Sequence, residues 1–379
     1  MYKRQIINLL IIQTSSFKTT GHFIIARIAE REIEKLDIYP KILSLLSIMG
    51  GFTKDNKYPF VECASWADDI KYIDWDSMDK WHFDNIYIDG QKIISKTKYP
   101  ELNLKSEKQD IVWAINEMKK TLRNTKISAV DDRLGKSINL RMLIHLIGDI
   151  HQPLHASTLV NDKFPRGDSG GNAFKINMPG AKNLHAYWDS CLKKYPSMKH
   201  PLSDRQFKKL DSFVDDIVFK HLRSSANISK RLEITSVKDW AYESTKLSLK
   251  YAYKGIKPGD KPSMEYIKKG QELIDEQLAV AGYRLADVLI SVFSRPEVFD
   301  LHVKGHKMGT FKSDGLLRSN SNESSITDEE SSIDKDSEIT QKVSELFTSR
   351  DFLGNNEMRA WIGYLFILCL LYTSPSPRD

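Results

Sequence analysis

The sequence predicts an all-α fold, a single mostly helical domain, on three observations. Apolar residues recur at helical spacing in most segments from Gly21 to about Phe293, as Ile25, Ile28, Ala29, Ile33 and Leu36 do in "HFIIARIAEREIEKL". Strand-like alternation is scarce. The chain has 379 residues, and its 41% hydrophobic content is enough to bury a substantial core.

Met1 to Ser16 reads as a signal peptide: Lys3 and Arg4 are the charged end, Ile6 to Ile12 the apolar run, and Thr14 with Ser16 a small-x-small cleavage site. That run is too short to span a bilayer; the competing reading is a frayed N-terminal strand. Further helices are expected at "QDIVWAINEMKKTL", "INLRMLIHLIGDI", "DSFVDDIVFKHL", "VKDWAYESTKLSLKYAY" and "GQELIDEQLAVAGYRLADVLISVF". "FPRGDSGGNAF", Phe164 to Phe174, is a glycine-rich loop between them.

The domain is placed at residues 17–295, because the helical pattern fades beyond Arg295. Residues 296–345 are rich in Ser, Asp and Glu and read as a disordered linker. Residues 346–368 turn apolar in "RAWIGYLFIL", either as the start of a truncated membrane anchor or as a small amphipathic end. Residues 369–379, "CLLYTSPSPRD", resemble read-through of a transposon-type sequencing adapter and are set aside, so the natural C-terminus is expected to be missing.

Net charge is +6, with −6 in Ser321 to Thr340, so the rest carries +12. Loss of Lys3 and Arg4 with the signal would leave about +10, which suits a polyanionic substrate and equally suits solubility. With Cys369 set aside, Cys63 and Cys191 remain. An even pair in a chain that reads as secreted admits a disulfide; two buried thiols are the other reading. Asn227 in "NIS" and Asn322 in "NES" fit glycosylation acceptors.

The histidines carry the chemistry. In "HLIGD" His145 and Asp149 are four apart, so on a helix both project from one face, and "HAYWD" repeats this with His185 and Asp189. One such pair is usually a surface or capping hydrogen bond. Two pairs, with His155 following "QPL", make a metal site far more credible. Imidazole nitrogen and carboxylate oxygen are what zinc takes where thiolates are too few. "CASWADDIK" offers Asp68 and "KWHFDN" offers His82. His151 falls about a third of a turn off the His145 face and is left out. Pro153 is expected to end or kink the helix, letting His155 swing toward a different metal.

The ordered series "FKTTGH", "SWADDIK", "WHF", "HLIGDIHQPLH", "GGN" and "NLHAYWD" resembles the zinc-dependent single-strand-specific, or class I, nucleases. The likeness runs from Phe17 to about Leu289 and includes "WAYES" and "QLAVAGYRLADVL". It implies a nearly all-helical fold of the zinc phospholipase C and single-strand nuclease type, with three zinc ions in one cleft. Carried over by position, Asp68, His82, His145 and Asp149 would bind one zinc, and His155, His185 and Asp189 a second. The third would be held by His22, by Asp149 as a bridge, and by the amino nitrogen and carbonyl oxygen of Phe17, the first mature residue. One carboxylate shared between two dications offsets part of their repulsion.

The resemblance implies hydrolysis of phosphodiester bonds of single-stranded DNA and RNA by a zinc-bridged hydroxide, giving 5′-phosphates, together with removal of 3′-phosphates from nucleotides. A pocket that must take in a base would favour single strands, since a duplex hides base faces in its stack. Lys71 falls where the family keeps a basic residue near the scissile phosphate, and Asn172 where it has a substrate-contacting asparagine. Without the family these would be a solvated lysine and a turn asparagine. Two departures stand out: Phe17 replaces the usual tryptophan, and Asn85 occupies a usually acidic position, with Asp84 beside it. A bridge between Cys63 and Cys191 would tie two ligand segments together.

Secretion would take the enzyme to the extracellular space, a lysosome-like vacuole or the cell surface, and no obligate protein partner is evident. One rival is a zinc phospholipase C, whose last pair is typically His and Glu where this chain has His185 and Asp189. The other is a non-catalytic secreted module in which zinc only staples the helices.

Overall fold

A computed structural model describes residues 19–294 apart from 51–52, 54, 56, 74–75, 95–108 and 124–129. The expectations for Met1 to Ser16, Phe17, Asn322, the linker, the apolar end and the adapter segment lie outside the described residues.

The first helix, α1 (Thr19–Ile33), is apolar on most of its circumference, burying Phe23, Ile24, Ile25, Ile28 and Ile33. A helix of that kind belongs in the middle of a fold. It packs against α11 (Met264–Phe293), whose 30 residues span about 45 Å. Their approach depends on Gly282, where a Cβ would lie 2.6 Å from Ile28 Cβ and 3.1 Å from the Ile25 carbonyl oxygen. Contrary to the expected stripe, α1 stops at Ile33; Leu36 follows in a turn and is 41% exposed.

Around this pair stand α2 (Ile38–Ser47), the single turns α3 (Pro59–Glu62) and α4 (Trp66–Asp69), α5 (Ile111–Arg123) and α6 (Val130–Asp149). The second half follows with α7 (Leu184–Asp189), α8 (Asp204–Lys220), α9 (Ala226–Leu232) and α10 (Val237–Leu247). Side-chain caps begin several of them: Ser203 and Gln206 form a reciprocal capping box on α8, and Asn183 accepts from the Ala186 amide to start α7. The stretch expected as one helix from Val237 to Tyr253 changes at Ser248 into a π-helical turn ending at Ala252.

Four short strands complete the domain. β1 (Ile86–Ile88) pairs in parallel with β2 (Ser157–Leu159), and β3 (Lys175–Met178) pairs antiparallel with β4 (Ala181–Asn183). The glycine-rich loop, expected between helices, lies instead between β2 and β3. No helix among the described residues is long and apolar enough to cross a membrane.

Of the two readings of Cys63 and Cys191, the bridge is not formed and the buried thiols are found. Both thiols are free and buried, and Cys63 Sγ donates to the Phe60 carbonyl at 3.2 Å within its own turn. Burial pushes both thiols well above their ordinary range, so they are inert packing groups. Asn227 is exposed on α9, its side-chain amide donating to Glu276 at 3.1 Å.

Candidate metal centre

Six separate elements deliver the site. His22 comes from α1, Asp68 from α4, and His82 from the end of a 3₁₀ run, Asp76–His82. His145 and Asp149 close α6, while His185 and Asp189 lie on α7. α6 ends four residues before Pro153, which starts a separate 3₁₀ turn, Pro153–His155, and so His155 leaves the α6 axis as expected. All of these side chains are buried except Asp68, which is partly so.

The structure brings the ligand candidates into three groups: His155, His185 and Asp189; His82, His145 and Asp149; and His22, Asp68 and His145. Within each group the candidate ligand atoms lie within 4.8 Å of one another. Asp149 stands at the junction. Its Oδ1 is 3.2 Å from His22 Nε2, and its Oδ2 is 2.8 Å from His82 Nδ1 and 3.2 Å from His145 Nε2. Asp68 Oδ1 lies 3.6 Å from His145 Nε2 and pairs with Lys71 Nζ at 2.9 Å. In α7, His185 Nε2 and Asp189 Oδ2 are 3.3 Å apart, the one-face geometry that the four-residue spacing predicts.

Three of the rings share one orientation. Nδ1 of His145 donates to the Ala64 carbonyl, that of His155 to the His82 carbonyl, and that of His185 to the Gly170 carbonyl, each at 2.7 Å. This fixes the tautomer and turns each Nε2 lone pair inward. Those three Nε2 atoms are buried and make no hydrogen bond. Leaving a buried polar atom unsatisfied costs about 1–3 kcal/mol, so three pointing at carboxylates fit a cation between them. The donor set is imidazole nitrogen and carboxylate oxygen. His151 shows the contrast: its Nδ1 bonds back to Ile147, and Arg284 Nη1 approaches its Nε2 at 2.9 Å. That ring is spoken for, which justifies leaving it out of the ligand set.

Charge follows the same logic. Burial pushes His82 down to about 3 and lowers His22. Burial opposes ionisation of Asp149, but His145 and His155 outweigh it and hold the carboxyl well below its usual range. Burial likewise opposes protonation of His155, yet Asp149 and Asp189 raise it to about 9. Asp149 therefore stays ionised, and a metal entering beside His155 would displace a proton.

A second set of contacts positions these ligands. Gln152 donates Nε2 to Asp189 Oδ1 at 2.7 Å and accepts from the Leu154 amide at 2.6 Å. Carbonyls in the segment that follows α6 are taken up from other elements. Ser244 donates to Ile150, Gln277 to His151 and Thr245 to Ala156. Gly148 makes room for the His22 ring, since a Cβ there would lie 2.7 Å from its Nδ1.

The centre opens on a cleft of about 170 Å³ whose wall combines His82, His155 and His185 with Phe83, Asn85 and Asn172. Asn85 lines it and Asp84 does not. Asn172 sits there on its turn, donating to the Ser169 carbonyl at 2.9 Å. Phe83 and Gln152 were not foreseen from the sequence. For Phe83 the available signal was an aromatic residue directly after ligand candidate His82.

Comparison with known proteins decides the family. The profile described as S1/P1 Nuclease matches residues 17–294. The chain belongs to the S1/P1 nuclease family. It is 27% identical to Endonuclease 5 of Arabidopsis thaliana over 294 residues, covering 72% of this chain and 89% of that protein. It is 29% identical to Nuclease S1 of Aspergillus oryzae over 252 residues, covering 62% and 79%, and 31% identical to Endonuclease 2 of Arabidopsis thaliana over 160 residues, covering 41% and 51%. As an S1/P1 nuclease the chain is a hydrolase of phosphodiester bonds whose substrates are nucleic acids. This membership favours the nuclease over the phospholipase reading.

Proposed function

We propose that this S1/P1 nuclease is a zinc-dependent endonuclease that cleaves single-stranded DNA and RNA to 5′-phosphate products and also acts as a 3′-nucleotidase. The observation that carries the reading is Asp149, whose carboxylate lies within 4.0 Å of ring nitrogens of His22, His82, His145 and His155 beside the cleft. Three Zn²⁺ would be held as follows: one by Asp68, His82, His145 and Asp149, and one by His155, His185 and Asp189. The last would be held by His22, Asp149 and the main-chain amine and carbonyl of Phe17. Zinc, when bound, supplies a water of lowered pKa and neutralises charge on the phosphate and the leaving 3′-oxygen.

The chain's own groups do the rest. Asp149, buried and ionised, balances positive charge shared between two sites. Asp68 holds Lys71 at 2.9 Å, which keeps that ammonium charged and beside the centre for a phosphate oxygen. Asn85 and Asn172 offer amides to the substrate from opposite parts of the chain, and Phe83 offers a ring face to a base. A cleft of about 170 Å³ takes one exposed base and excludes a paired duplex. Removal of Met1 to Ser16 in the secretory pathway would free the Phe17 amine, so the mature enzyme acts outside the cytosol, in a vacuole or at the cell surface.

The test is cleavage of matched single-stranded and duplex DNA by protein of measured zinc content, with end-group analysis of the products. Single-strand cleavage leaving 5′-phosphates is expected, lost on chelation and restored by zinc. Equal cleavage of duplex, or activity that survives complete removal of metal, would refute the proposal.

A further inference from the structure

Among the described residues some cations are held in ion pairs and others, including one group of lysines, are not. Arg27, Arg31, Arg223, Arg231 and Arg284 are each held in ion pairs with acids of other helices. Lys175, Lys182, Lys254, Lys257 and Lys261 are exposed, and none takes part in an ion pair among the described residues.

Backbone contacts gather these five lysines in one region. Residues 254–261 form the turn leading to α11, and that turn lies against β3: the Gly259 amide donates to the Lys175 carbonyl and the Asn177 amide to the Asp260 carbonyl, both at 2.8 Å. β3 in turn pairs with β4, Lys175 opposite Asn183, and Lys182 precedes Asn183. Asn183 Nδ2 is 3.5 Å from Asn172 Oδ1, and Asn172 lines the cleft. The lysines therefore begin beside the cleft and extend two ladder steps, about 10 Å, away from it. Asp260 is the one acid in the turn and the two strands, and its carboxylate accepts the Lys257 amide at 2.8 Å. The base is rigid, because Tyr253 donates to buried Asp168 at 2.9 Å and packs on Phe174.

We propose that this lysine surface is an accessory site for the phosphate backbone of a single-stranded polynucleotide, holding the strand beyond the nucleotide in the cleft. The inference rests on the nucleic-acid reading above and adds to it a preference for long strands over nucleotides. Lysines without carboxylate partners keep their counterions in solution, and a chain of phosphates displaces them with a gain in entropy. A 3′-nucleotide carries a single phosphate, whereas a strand carries a run of them that can extend over this surface.

The experiment uses the full chain and compares it with the variant Lys175→Glu, Lys182→Glu, Lys257→Glu, Lys261→Glu and with the four matching Lys→Arg changes. A phosphorothioate single strand is titrated by fluorescence anisotropy over a salt series, beside hydrolysis of a 3′-nucleotide. The Glu variant should bind the strand at least about tenfold more weakly, with a salt slope shallower by about 0.7 for each lysine lost. Its 3′-nucleotide hydrolysis should be unchanged, and the Arg variant should match the parent in both assays. Unchanged strand binding in the Glu variant overturns the proposal, as does equal loss in both assays. Loss of binding to phosphatidylserine vesicles with strand binding unchanged assigns the surface to a membrane and also overturns it. A parent that binds the strand with the expected slope but hydrolyses neither substrate sinks the nuclease reading and leaves the surface standing.

Discussion

Gly148 and His22 meet face to face: the glycine presents no side chain where the imidazole of α1 lies against α6, and a Cβ would sit 2.7 Å from Nδ1. That contact sets the distance between His22 and Asp149, the next residue along α6. Gly148→Ala should push the ring away and remove one metal from the centre, leaving the other two groups intact. Overpacking at such a contact costs about 1–3 kcal/mol, so the variant should fold. Metal analysis of the folded variant checks this, and an unchanged metal content would show that the contact does not position His22.

Gln152 works at a distance from the metals. Its amide holds Asp189 Oδ1 at 2.7 Å, and it is wholly buried. Gln152→Met keeps the volume and removes the donor. Loss of such a supporting bond typically costs 10- to 100-fold in metal affinity, so competition with a chelator should show about that drop for one ion. An affinity equal to that of the parent would make Gln152 a packing residue only.

The reach of sequence reasoning is clear in these residues. The pairs His145 with Asp149 and His185 with Asp189 were legible because both members ride on one helix, where spacing alone fixes their face. His155 was legible because Pro153 announces the break. Gly148, Gln152 and Thr245 were not, since each acts on a neighbour that only the tertiary fold supplies. The cysteine pair stayed open between two readings for a related reason: an even count says nothing about proximity. The four strands were missed because three-residue strands carry too few positions to show alternation.

Cys63 and Cys191 should both react with an alkylating reagent in denaturant without reductant. Mass mapping reads this directly, and a peptide pair joined through these two residues would contradict the structure.

His151 predicts an acid sensitivity separate from the metals. Burial, with Arg284 beside it, takes its pKa from 6.5 down to about 3. A depressed folded-state value means that its contribution is complete above pH 6.5 and is lost as pH falls toward 3, because only the unfolded chain takes up the proton. Between pH 6.5 and pH 5 the loss is about 2 kcal/mol. In His151→Gln that part of the loss should vanish, so denaturant titrations at pH 7 and pH 5 should differ less than in the parent. Equal pH dependence in the two proteins would remove His151 as its source.

The central claim is that Asp149 joins neighbouring metal sites into one trinuclear zinc centre. It is tested most directly by the zinc content per chain of protein beginning at Phe17, measured by elemental mass spectrometry for the parent and for Asp149→Asn. Three zinc ions are expected in the parent and one, at His155, His185 and Asp189, in the variant. A parent that binds no zinc, or a variant that retains all three ions, would contradict it.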